Sequence, residues 1–258
     1  MIKVMSGFAG PGGSTVALNN LVNLFNDNGL DACFYTHPLK WEGINCKWES
    51  AEKCNFSPED SCVYHYIDMQ RRPNVKKLIL SCHETQLFPV KEKNVVYDDA
   101  HFVSTFQKDW HGVDGVVIPN IVKNYAKVPR IWKKGPVAGI IGSIDSNKRV
   151  HLSIEKALED GHTDIRLYGA ITEGQYFNDE VLPLLGDKVS YRGISVDMQS
   201  VYDILTDVYH SPLLETFNLI KAECEVTGIY YHGNEGNDTQ AEYWDDKSIF
   251  EAWKKLLT

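Results

Sequence analysis

The sequence predicts an α/β protein made of two similar-sized domains, each built on a parallel sheet. Three observations point there. The chain opens with a strand, a glycine-rich turn, an amphipathic helix and a second strand. Short apolar runs then alternate with polar or helical segments along the whole length. A basic, proline-bearing stretch near the middle is followed by a fresh start of the same alternation.

The opening IKVMSGFAGPGGSTVALNNLVNLFNDNGLDACFYT is a β-α-β unit whose helix ends near Asn28 and Gly29. Apolar runs at 62–67, 77–81, 95–96 and 116–118 continue the first domain as strands. The segment AKVPRIWKKGP, at 126–136, is the expected linker, which divides the chain into domains 1–128 and 129–258, with the C-terminal helix free to pack back on the first. Beyond it, a strand is expected at 137–142, a helix through 151–158, strands at 164–168 and 188–191, and a helix at 198–205. A strand at 207–209 leads into an acidic amphipathic helix, and a last strand follows at 229–232.

With 258 residues, 43% of them hydrophobic, the chain can bury a sizeable core. No apolar run reaches the roughly 20 residues that span a bilayer, and MIKVMSGF lacks the basic-then-apolar order of a signal peptide, so a cytoplasmic location is expected. The six cysteines contain no C-x-x-C pair, and Asp98-Asp99 and Asp245-Asp246 lack ligand spacing; reduced thiols and no metal site are expected. The formal charge of −9 is unevenly divided: residues 1–128 hold 13 Lys and Arg against 14 Asp and Glu, and residues 129–258 hold 13 against 21. The first domain is therefore the less repulsive to an anion, and Arg71, Arg72, Lys76 and Lys77 are its positive cluster.

The stretch SPLLETFNLIKAECEVTG, at 211–228, sets Glu215 and Glu223 on either side of an apolar run. Thr216 can cap a helix beginning at Phe217, which leaves Glu215 in the loop ahead of it and Glu223 about 9 Å further along the axis. The backbone N–H groups of Phe217, Asn218 and Leu219 would then form an anion site at the positive end of the helix. Taken alone, an amphipathic helix with solvent-facing acids accounts for the pattern equally well.

In this spacing the chain resembles retaining glycosyltransferases of the GT-B fold, two Rossmann-like domains facing a central cleft, and in particular glycosyltransferase family four with its E-x7-E motif. Further matches run in order along the chain. PGGS at 11–14 is similar to the family's N-terminal turn, and SCHE at 81–84 to the strand end that carries a histidine. VVIPNIV at 116–122 resembles V-x-I-P-N-G-V, and GSIDSNKRV at 142–150 resembles the G-R-x-x-x-x-K-G turn. YGA at 168–170 and SYRG at 190–193 fit later strand ends. The chain is shorter than is usual for the family.

The resemblance implies a role for each matching residue. Glu215 would bind hydroxyls of the transferred sugar and Glu223 the nucleotide ribose, since carboxylates accept hydrogen bonds from diols. Lys148 would neutralise the donor diphosphate as it leaves. Ser143 stands where the family has an arginine, so Arg149 is the candidate to compensate. His83 would contact the sugar from the first domain. Gly12 and Gly13 lie at a strand end where α/β domains bind ligands and would admit the donor closely. They do not form G-x-G-x-x-G, so no dinucleotide cofactor is implied.

The implied activity is transfer of a hexosyl or pentosyl group from a nucleotide-diphosphate sugar, with UDP-sugar the expected donor, to an acceptor hydroxyl, without cofactor or required metal. Two acceptor classes stay open. One is a saccharide or glycolipid. The other is hydroxymethylated DNA, because compact viral glycosyltransferases act on such bases and the Arg71–Lys77 cluster could meet phosphates; a viral chain would work in the host cytoplasm. A nucleotide-sugar epimerase of the same fold and a non-catalytic sugar-nucleotide-binding module are the alternatives.

Overall fold

The computed structural model describes residues 1–7, 10–36, 40–67, 69, 71–84, 96–127, 135–234 and 243–258. The chain divides into two compact units, Met1–Ile121 with Thr239–Thr258, and Val122–Asp238. The division lies ahead of residue 128, and the chain end joins the first unit. Residues 128–134 of the expected linker lie outside the described residues.

In the first unit, β1 (Ile2–Ser6), α1 (Gly13–Asp27) and β2 (Ala32–Thr36) form the expected β-α-β unit. The unit continues through β3 (Trp48–Ser50), β4 (Ser61–His65), β5 (Lys77–Cys82), β6 (Asp99–Phe102), α2 (Thr105–His111) and β7 (Val116–Val117). All pairs are parallel, in the order β3-β2-β1-β4-β5-β6-β7, with Ile2 of the central strand set between Ala32 and Ser61. Helix α1 buries Ala17, Leu18, Leu21, Val22, Leu24 and Phe25, the stripe its 3.6-residue period supplies.

One expected strand is displaced. The strand expected at 95–96 is found at Asp99–Phe102; Val95 lies outside the described residues. Asp99 and His101 hid this strand from hydropathy, although Ala100, His101 and Phe102 are buried between β5 and β7. The helix near the chain end is α7 (Asp246–Leu257), capped by Asp245, whose carboxylate accepts from the Ser248 amide at 2.9 Å. It sets Ile249, Phe250, Trp253, Leu256 and Leu257 into the core beside α1, with Trp253 edge-on to Phe25 at 6.0 Å. Burial of such side chains contributes about 1.5–3 kcal/mol each, which ties the chain end to the first unit.

The second unit runs β8 (Ala138–Ile141), α3 (Val150–Glu159), β9 (Ile165–Tyr168), α4 (Gly174–Tyr176), β10 (Val189–Tyr191), α5 (Met198–Ile204), β11 (Asp207–His210), α6 (Leu219–Thr227) and β12 (Tyr230–Gly233). Its parallel sheet has the order β10-β9-β8-β11-β12. At Gly169, φ is +152° and an added Cβ would collide with the Gly142 carbonyl, so the β8 and β9 ends can approach this closely with glycine.

In each sheet the strand order reverses beside the first strand, between β1 and β4 and between β8 and β11. Loops leaving such neighbours diverge to opposite faces and open a crevice at the carboxyl ends of the strands. The turn after β8 and the loop after β11 carry Ser143, Lys148, Arg149 and Glu215.

Candidate active site

The turn from β8 to α3 is organised by Asp145. Its Oδ2 accepts from Ser143 Oγ at 2.5 Å and Thr172 Oγ1 at 3.1 Å, while Oδ1 accepts from the Lys148 amide at 2.9 Å. Ser143 is thus engaged inside the turn. Arg149 follows in the left-handed region at φ 46°, a conformation strained for a side-chain-bearing residue.

From this turn three consecutive residues reach five consecutive residues of the loop after β11. Arg149 Nε donates to Ser211 O at 2.8 Å and Nη2 to Pro212 O at 3.0 Å. The Leu213 amide donates to Asn147 O at 2.7 Å, and Asn147 Nδ2 donates to Leu214 O at 3.2 Å. Lys148 Nζ then pairs with Glu215 Oε1. The Arg149 guanidinium, expected to compensate for the missing arginine, here holds two backbone carbonyls and clamps the Glu215 loop.

Glu215 receives a second donor from His210, whose Nε2 lies 3.3 Å from the same Oε1. Burial pushes the Glu215 carboxyl up, but the charge of Lys148 and the hydrogen bond and charge of His210 outweigh it and bring the group down to about 2. The carboxylate is ionised across the neutral range. Among the described residues both contacts fall on Oε1, which leaves Oε2 with acceptor capacity.

Helix α6 begins two residues later than expected. Its N-cap is Asn218, not Thr216, with Asn218 Oδ1 accepting from the Lys221 amide at 2.9 Å. The Leu219 amide donates to Phe217 O at 3.0 Å, and Phe217 is buried. The anion site expected from the amides of Phe217, Asn218 and Leu219 is therefore not preformed, because the Leu219 amide is engaged within the chain and the helix start has moved.

Glu223 is held inside the second unit. It lies on the buried stripe of α6 with Ala222, Cys224 and Thr227, is 6% exposed, and accepts from the Tyr202 hydroxyl. Burial raises its carboxyl to about 7, against the pull of the Tyr202 hydrogen bond and the Lys123 charge. Of the two acids expected to meet the donor, the helical period turns the second toward the interior in the ligand-free chain.

In the first unit, Gly12 is the extended N-cap of α1 and Gly13 its first residue. His83, just beyond β5, is 9% exposed. Its Nε2 lies 3.1 Å from Ser81 Oγ, which lies 2.9 Å from His101 Nδ1, and His101 Nε2 lies 2.8 Å from Ile118 O. Burial, with His65 and His101 nearby, holds the His83 imidazole well below its ordinary range, and burial brings His101 to about 4. Both are neutral. His83 and His101 border a cavity of about 10 Å³ beside Leu18, Leu21 and Trp253, room for about one water.

Within the basic cluster, Arg72 Nη2 pairs with Asp98 at 2.6 Å and Lys77 with Asp99 at 2.6 Å. Arg71 and Lys76 are exposed. Half of the cluster is thus neutralised by acids that also account for Asp98-Asp99. Among the described residues, no group of three or more His, Cys, Asp or Glu is arranged to hold a metal ion, and no helix is long and apolar enough to cross a membrane.

Reasoning from sequence missed His210, Tyr231, Asn147 and Tyr202. His210 had a local signal, a polar residue at a strand end five positions before Glu215. Tyr231 and Tyr202 had none, since each meets its partner through the packing of separate elements.

No protein-family model matches the sequence, and no curated protein does. Solved structures match the fold. Anabaena Alr3699/HepE, in complex with UDP and glucose, is 14% identical with a TM-score of 0.67, over 91% of this chain and 80% of its own. AviGT4, a glycosyltransferase involved in avilamycin A biosynthesis, is 16% identical with a TM-score of 0.65, over 98% and 87%. WaaG, a glycosyltransferase involved in lipopolysaccharide biosynthesis, is 12% identical with a TM-score of 0.66, over 100% and 90%. The chain has the GT-B fold.

Proposed function

We propose that this chain is a retaining glycosyltransferase of the family-four type that moves a hexosyl group from a UDP-sugar to a saccharide hydroxyl. The observation that carries the reading is the Lys148–Glu215 pair, set at the strand-end crevice of the second unit with one carboxylate oxygen left to accept. Similar structures support it, one in complex with UDP and glucose and others glycosyltransferases involved in avilamycin A or lipopolysaccharide biosynthesis.

In this reading Glu215 Oε2 accepts from sugar hydroxyls, and Lys148 turns part of its donor capacity toward the diphosphate. Its charge offsets the negative charge that grows as the bond from the anomeric carbon to the diphosphate oxygen breaks. The acceptor oxygen bonds to that carbon on the same face, and a departing phosphate oxygen takes the acceptor's proton. Within the first unit, Gly12 and Gly13 permit close approach at their strand end, and His83, neutral, has a hydrogen bond to offer. Glu223 reaches the ribose by exchanging its Tyr202 contact for the diol. A saccharide acceptor is favoured over DNA because Arg72 and Lys77 are already paired with acids.

The test is turnover. UDP-glucose and UDP-N-acetylglucosamine, each with a panel of saccharides and a hydroxymethylated duplex, are followed by UDP release and by proton NMR of the product. Acceptor-dependent UDP release with an α-linked product is expected from an α-linked donor. A β-linked product removes retention, and donor binding without UDP release on any acceptor removes the enzyme.

A further inference from the structure

Behind Glu215 lies a chain of buried and half-buried polar groups that the reading above does not use. Asn218 caps α6, and because its Oδ1 accepts from the Lys221 amide, its Nδ2 must face the other way. Nδ2 donates to Tyr231 Oη at 2.7 Å, in β12, and lies 3.4 Å from His210 Nδ1, at the end of β11. Tyr231 Oη lies 3.2 Å from the same Nδ1. On its far side His210 meets Glu215 through Nε2.

The donors decide the state of the ring. Tyr231 Oη accepts from Asn218, so its own proton can point at His210 Nδ1. The Asn218 amide also turns an N–H toward that nitrogen. The Asn218 NH2 can only donate, so its approach to Nδ1 requires a lone pair there, and a neutral imidazole with Nδ1 bare carries its proton on Nε2. That proton is the one aimed at Glu215 Oε1. The opposite tautomer would set two lone pairs face to face, Nε2 against a carboxylate oxygen. Asn218 and His210 are buried, so solvent does not compete for these bonds.

We infer that Asn218, Tyr231 and His210 form a positioning relay, in which the cap of α6 sets the orientation of Asn218, Asn218 and Tyr231 set the His210 tautomer, and His210 holds Glu215 with Oε2 presented to the sugar. The inference rests on Glu215 being the sugar-binding carboxylate. It assigns His210 no proton transfer; His210 acts through Glu215. It also couples the helix start to the site, since moving the cap would release the ring.

Two measurements test the relay separately from the activity. Long-range proton–nitrogen NMR of the His210 ring in the free protein, assigned by loss of its signals in His210→Gln, should show the proton on Nε2. Asn218→Asp keeps an oxygen to cap the helix but replaces the amide donor by an acceptor, and should bring a proton onto Nδ1. A wild-type ring protonated on Nδ1 overturns the relay whether or not the protein turns over any sugar.

The second measurement compares affinities for UDP and UDP-glucose. His210→Leu should weaken UDP-glucose about tenfold, the loss of one hydrogen bond to a charged group, and leave UDP within about twofold. His210→Gln, whose amide can still donate, should recover most of the difference. Equal loss for both ligands, or no recovery with Gln, means His210 serves only the fold. If the wild type binds neither UDP nor UDP-glucose, the glycosyltransferase reading falls, and the NMR result alone decides the relay.

Discussion

Lys148 and Glu215, 67 positions apart in the chain, form an ion pair at the carboxyl ends of the adjacent strands β8 and β11. The pair is held by the backbone on both sides, because Asp145 fixes the turn that carries Lys148 and Arg149 fixes the loop that carries Glu215. It sets a cation and an acceptor side by side, each balanced by the other.

Removing the cation should affect chemistry more than binding. Lys148→Met is expected to lower kcat about 10²–10³-fold, the range for losing one preorganised stabiliser of developing charge, while the Kd for UDP-glucose changes less. Stopped turnover with radiolabelled donor and calorimetry give the two numbers. A kcat equal to that of the wild type removes Lys148 from the leaving-group role.

Arg149 should be a clamp. Its two charged donors to Ser211 O and Pro212 O are worth about 2 kcal/mol together after solvent screening, so Arg149→Ala should lower the urea midpoint and raise KM through the loosened loop. Arg149→Gly loses the same donors but relieves the left-handed backbone by about 1 kcal/mol. Glycine should therefore be the more stable of the two variants; an alanine variant as stable as the wild type would contradict the clamp.

Glu223 predicts a pH dependence with a definite sign. Its carboxyl titrates near 7 in the folded protein against 4.5 ordinarily, so between those pH values the native state holds a proton that the unfolded chain has released. Stability from this group is complete below pH 4.5 and is lost as the pH rises through 7. Glu223→Gln stays neutral throughout. The variant should gain on the wild type across that window, by about 3 kcal/mol in all, as read from urea midpoints at pH 5, 6, 7 and 8. A constant difference would falsify the assignment of a raised carboxyl.

The basic cluster should split by partner. Arg72→Ala, which strands Asp98, is expected to cost about 1 kcal/mol of stability. Arg71→Ala and Lys76→Ala, at exposed positions, should be neutral to stability and to saccharide turnover. Loss of turnover on a hydroxymethylated duplex in those two variants, with a salt slope flatter than the wild type's, would instead restore a DNA acceptor.

Local pattern decided most of the secondary structure. The opening β-α-β unit, the apolar runs that became β4, β5, β8 and β9, and α3 and α5 all follow from hydrophobic period and turn residues, which act over a few positions. The acids of the E-x7-E spacing were legible as a pair for the same reason. What each acid does was not. Burial, a property of the assembled unit, separates them: Glu215 is drawn toward pH 2 by Lys148 and His210 arriving from other elements, and Glu223 is raised toward 7 by the interior that α6 packs against. The start of α6 moved because the Asn218 side chain reaches the Lys221 amide while Tyr231 of a different strand takes its other end. Arg149 became a clamp because the β8 turn lies against the β11 loop. The sequence by itself determined which segments are strands and helices and where acids and bases sit along them. The tertiary structure decided which charges meet, since partners 62 to 67 residues apart are set by sheet order and register, and no local signal encodes those distances.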